Sequence, residues 1–71
     1  MKNYIIVYSA PGVSEEVELR QGTPEEIRKE IFYERGLNKE FQFESYAVPE
    51  ALVPQVMKDP ARYYYAHLAG N

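Results

Sequence analysis

A chain of 71 residues with a net charge of −3 and no cysteine is bounded to one small domain, residues 1–71, stabilised by packing alone. The missing cysteines exclude a disulfide framework, a thiolate metal site and a cysteine nucleophile, and no apolar run nears the ~18 residues of a membrane helix. The acidic balance argues against direct nucleic-acid binding, which needs clustered Lys and Arg.

Charge is unevenly placed. Ten carboxylates face five basic residues between Glu15 and Glu50, while Lys58, Arg62 and His67 make the tail mildly basic. An acidic face suits a basic partner, although glutamates also simply keep a small protein soluble. Seven Tyr and three Phe supply large buried areas, with phenol hydroxyls that need a polar or solvent outlet. Met1 to Ser9 lacks the charged start, long apolar segment and cleavage site of a signal peptide, so the expected location is cytoplasmic.

Lys2 to Ser9 reads as the first strand: Tyr4, Ile5, Ile6, Val7 and Tyr8 are β-branched or aromatic without polar interruption, the pattern of a central strand buried on both faces. Ala10-Pro11-Gly12 is turn chemistry. Val13 to Arg20 alternates, with Val13, Val17 and Leu19 on one face and Ser14, Glu16, Glu18 and Arg20 on the other, Glu15 being the exception on the inward side. That is a half-exposed hairpin partner.

Thr23 to Leu37 is the best-specified stretch. Thr23 is placed as an N-cap, Pro24 takes the first helical position, and Glu26 completes a capping box. Gly36 is suited to a left-handed C-terminal stop, with Leu37 folding back on Phe32. Ile27 and Ile31 share the face that must pack on a sheet, because a helix this short is marginal alone. Asn38-Lys39-Glu40 is a polar loop, and Phe41 to Val48 resumes a period of two, Phe41 and Phe43 inward, Gln42 and Glu44 outward.

From Val48 onward Pro49, Pro54 and Pro60 forbid a long helix, so single helical turns are expected, with Leu52, Val53, Val56 and Met57 as a lid on one end of the core. The last stretch is open. Asp59-Pro60 and Gly70 frame a short helix over Ala61 to Ala69, whereas Tyr63-Tyr64-Tyr65 favours a strand over Arg62 to Leu68.

Tyr4-Ile5-Ile6-Val7, the turn at Gly12, Val17 with Leu19, then Thr23, Ile27, Ile31 and Gly36-Leu37 resemble the ubiquitin-like β-grasp family over the first two-thirds of the chain. The resemblance implies an α+β fold, a ββαβ domain with one main helix packed on a mixed sheet of three or four strands. It further implies that Arg62 to Leu68 runs parallel to Lys2 to Ser9 in the centre. It carries no site: Ala69-Gly70-Asn71 departs from the family's terminal Gly-Gly, so conjugation is not expected, and Gln42 and Glu44 replace its apolar partner patch.

No enzymatic constellation is legible. His67 has no triad, metal-binding partner or phosphate loop near it, and Glu15-Glu16 and Glu25-Glu26 are adjacent pairs that point apart. No catalytic residue, metal site or cofactor is therefore expected. Tyr63, Tyr64 and Tyr65 cannot all be buried on one face, and exposed Tyr beside Arg is the composition of interface hot spots. The expected function is a non-enzymatic protein-binding module, an adaptor or inhibitor of a larger protein. Its surface is expected to use Tyr63, Tyr65, Arg62, His67 and Tyr33, with an acidic rim from Glu44 and Glu30 or Glu34. The alternatives are a structural subunit or homodimer, and an acidic inhibitor that mimics nucleic acid, as some phage-encoded inhibitors do.

Overall fold

The computed structural model describes residues 1–70. Strands β1 (Asn3–Ala10), β2 (Val13–Gln21) and β3 (Gln42–Val48) form one sheet of order β2-β1-β3, with helix α1 (Pro24–Arg35) between β2 and β3. A 3-10 turn (Glu50–Leu52), α2 (Val53–Lys58), α3 (Pro60–Tyr63) and a single π turn (Tyr64–Leu68) complete the chain.

Both ladders are antiparallel. Gly12 at φ +79° closes the β1-β2 hairpin, where a positive φ is cheap only for glycine. Helix α1 starts and stops as its sequence dictates. Thr23 Oγ1 accepts from the Glu26 N–H at 3.2 Å and donates to its carboxylate at 2.9 Å. Gly36 sits at φ +59°, and the Leu37 N–H reaches the Phe32 carbonyl at 3.2 Å, closing a Schellman motif.

The expected small α+β domain is present, but the sheet is not mixed. Twelve helical residues rise ~18 Å, the length of a short strand, and return the chain to the end where β2 began. β3 therefore enters in the direction of β2 and takes the free edge of β1 antiparallel to it. β2, α1 and β3 form a split β-α-β unit with β1 in its middle. No edge of β1 is left for a parallel strand, and the final stretch is helical, Asp59 capping it by accepting from the Arg62 N–H at 3.1 Å.

Because β1 is apolar on both sides, two cores form. Ile6 and Tyr8 meet Ile27 and Ile31 of α1 with Phe41, while Ile5 and Val7 meet Val48, Val56 and Tyr64. Val17 and Leu19 pack in the second core, under the C-terminal helices, and not under α1 as a helix-on-hairpin unit would have it. The segment after Val48 is thus a whole third layer instead of a lid at one end. Leu52, Val53 and Val56 contribute to it, while Met57 stays 65% exposed.

Candidate functional site

The three consecutive tyrosines divide between core and solvent. α3 passes into the π turn, which closes with the Ala69 N–H on the Tyr64 carbonyl at 2.8 Å. This turn spans five residues where an α turn spans four, and such widenings occur often at functional sites. Here it leaves Tyr64 buried, Tyr63 half-buried and Tyr65 55% exposed.

Tyr64 anchors a run of rings. Its centroid lies 5.7 Å from Tyr46 on β3 and 5.0 Å from Tyr65. A carboxylate closes each end: the Tyr46 hydroxyl donates to Glu44 at 2.6 Å, and the Tyr65 hydroxyl donates to Glu15. The Glu44 bond, with burial adding to it, pushes the Tyr46 phenol up to about 12. The Glu15 bond likewise raises Tyr65. Both phenols stay protonated at neutral pH, as hydrogen-bond donors and not as bases or nucleophiles. The cluster positions rings; it does not activate them.

Beside it, the Tyr63 ring lies 5.0 Å from that of His67, tilted by 49°. These two, with Gln55, Lys58 and Arg62, line a shallow depression of about 450 Å³ on the outside of the C-terminal layer. Arg62, Tyr63, Tyr65 and His67 therefore share one helical layer, and Glu44 reaches the same side of the sheet through Tyr46. The structure separates the remaining expected residues. Tyr33 is 74% exposed on α1, on the opposite layer, its ring 5.3 Å from Phe32. Glu30 and Glu34 belong to α1 as well, holding Arg20 at 3.9 and 2.9 Å. They form no rim around the C-terminal tyrosines.

Two members of the tyrosine cluster were not singled out from sequence. Tyr46 stands two residues from Glu44 on one strand, hence on the same face. Glu15 stands out in the sequence as the carboxylate that breaks the alternation of β2 and as one of an adjacent pair, neither of which points to a tyrosine partner. Among the described residues no group of three or more His, Asp or Glu side chains is arranged to hold a metal ion, and no helix is long and apolar enough to cross a membrane. No family model, curated protein or solved structure matches the chain.

Proposed function

We propose that the protein is a cytoplasmic, non-enzymatic protein-binding module, an adaptor or an inhibitor of a larger protein. Its contact surface is the outer side of α3 and the π turn: Arg62, Tyr63, Tyr65 and His67. The observation that carries this reading is Tyr65, a ring 55% exposed whose hydroxyl is tied back to Glu15 and whose edge rests on buried Tyr64. An aromatic side chain fixed before contact loses little rotamer entropy on binding. Tyr63 on His67, with Arg62 and Lys58 alongside, adds aromatic and basic character of the kind found at hot spots. Glu44 supports this surface through Tyr46, and Tyr33 belongs to a different one. The resemblance of Tyr4 to Leu37 to ubiquitin-like modules adds no site and no weight here, since Val17 and Leu19 pack under the C-terminal layer and not under α1.

The test is an affinity pull-down from the native host with wild type and the Tyr63→Ala, Tyr65→Ala double variant. A stoichiometric partner retained by the first and lost by the second is the expected result. Equal retention would remove the surface from consideration. Sedimentation of the purified protein covers the other reading: self-association abolished by the same double variant would make the protein a structural subunit.

A further inference from the structure

The outer edge of β2 is left unpaired. β2 is nine residues long and pairs only with β1; among the described residues nothing pairs with its other side. Such an edge offers a row of backbone donors and acceptors to any extended chain, and folded proteins ordinarily blunt it with Lys, Pro or a covering element. β2 has no Lys, no Pro and, among the described residues, no strand on its outer side; its guard is charge, Glu16, Glu18 and Arg20 on one face, which repels an acidic strand and admits a basic one.

The two faces along that edge differ in chemistry. On the side of α1, β2 carries Glu16, Glu18 and Arg20. Arg20 is already engaged by Glu18 at 3.4 Å and by Glu34 and Glu30 of α1, so three carboxylates surround one guanidinium and Glu16 on the same face adds a fourth negative charge. On the other side Val17 and Leu19 are half-buried beneath Val53, Met57 and Pro60, forming an open groove of about 590 Å³. We propose that this edge takes an extended basic segment of a partner protein as a fourth strand. Alternate side chains of an added strand point to opposite faces. Apolar residues would enter the Val53-Met57 groove while Lys or Arg meet Glu16 and Glu18 across the new ladder, at the close spacing of cross-strand pairs. A second copy of the chain is disfavoured as occupant, since its own β2 would bring three more carboxylates, Glu15, Glu16 and Glu18, to this edge.

The experiment uses the full chain, labelled with nitrogen-15, and a capped peptide in which lysine alternates with valine over about seven residues. The control is a peptide of the same composition with the lysines and valines in two blocks. The alternating peptide is expected to slow hydrogen exchange at the β2 amides that face away from β1, and to bind about tenfold more tightly than the block peptide. Raising the salt weakens it. Glu16→Gln with Glu18→Gln, and separately Met57→Glu at a side chain already exposed, each weaken it about tenfold. The Met57 variant keeps the proposal testable should the double glutamate change disturb Arg20. Arg62→Ala with His67→Ala, both exposed on the tyrosine face, binds the peptide as wild type does, so failure here and failure of the tyrosine surface read out separately. Equal binding of the two peptides, or exchange protection away from β2, would overturn the proposal. Protection of β2 with protein concentration alone would make a second copy the occupant and overturn it equally.

Discussion

Arg20 on β2 and Glu34 on α1 meet fork to fork, Nη1 to Oε2 at 3.1 Å and Nη2 to Oε1 at 2.9 Å. This bidentate pair ties the helix to the edge of the sheet, where β2 turns Glu16, Glu18 and Arg20 toward it. Hydrogen bonding and charge from Arg20 hold the Glu34 carboxyl below its ordinary value. A carboxylate whose folded value is depressed adds stability above its unfolded value, and that stability is lost as pH falls through the folded one. Urea denaturation of Arg20→Ala should therefore show a deficit against wild type at pH ~7 that closes toward pH ~3. A deficit that persists in acid would mean that the arginine stem packs and its charge is idle.

At the alkaline end the tyrosines act in the same sense on one another's side of neutrality. Tyr8, Tyr46 and Tyr65 are all raised, Tyr8 chiefly by burial and then by Glu18, the other two chiefly by their carboxylate hydrogen bonds. Raised groups contribute fully below the unfolded value of about 10 and lose that contribution as pH climbs through the folded value. The fold is expected to weaken from pH ~10 upward. Tyr46→Phe should flatten that slope, followed by phenolate absorbance and circular dichroism in one titration.

Tyr8 offers a substitution in the stabilising direction. Its side chain is 1% exposed, and its buried hydroxyl, though near enough to feel the Glu18 carboxylate, makes no hydrogen bond of ordinary length and angle. Leaving such a group desolvated costs on the order of 1 kcal/mol or more. Tyr8→Phe keeps the edge-on contact with Phe41 at 6.5 Å and removes the hydroxyl, so a gain of about 1 kcal/mol in urea is expected.

Ile5 and Ile6 are neighbours in sequence and report on different cores. Each is 0% exposed, Ile5 under the C-terminal layer and Ile6 under α1. Ile5→Ala and Ile6→Ala should each cost about 2–5 kcal/mol. Both variants should still unfold in a single transition, because the strand that carries them is common to the two cores. Two resolved transitions in either variant would show that the layers fold independently.

Asp59 governs the C-terminal layer in the way Thr23 governs α1. Asp59→Ala should cost ~1 kcal/mol through the lost cap on the Arg62 N–H. It should also loosen the Tyr46-Tyr64-Tyr65 rings, reducing the near-ultraviolet circular dichroism.

Local chemistry made most elements legible. Pro11-Gly12, Thr23-Pro24 with Glu26, and Gly36-Leu37 each name one backbone conformation, and all three occur as read. The unbroken apolar run of β1 likewise announced a strand covered on both sides. What it could not announce was which segment covers which side. Val17 and Leu19 have the same alternation whether α1 or the C-terminal helices lie above them, and the choice is made by packing between distant residues. Of the two alternatives open for the last stretch, the helix framed by Asp59-Pro60 is present and the parallel strand implied by the resemblance is not: β propensity at Tyr63-Tyr64-Tyr65 describes fit to a pleated surface, and the Asp59 cap outweighs it here. Of the candidate surface, Arg62, Tyr63, Tyr65 and His67 fall together because they lie within six consecutive residues. Tyr33, Glu30 and Glu34 were grouped with them by composition alone, and the sheet stands between.

The late position of the third layer has a consequence for the order of events during synthesis. Once Val48 has left the ribosome, the sheet and α1 have everything they need to assemble. The face bearing Ile5, Val7, Val17 and Leu19 nevertheless stays bare until Val56 and Tyr64 follow. For that interval the nascent chain shows water an apolar sheet face next to an unpaired strand edge, a combination prone to wrong association. A short translational pause between codons 48 and 64 would lengthen the interval, and a holdase on the nascent chain would cover it.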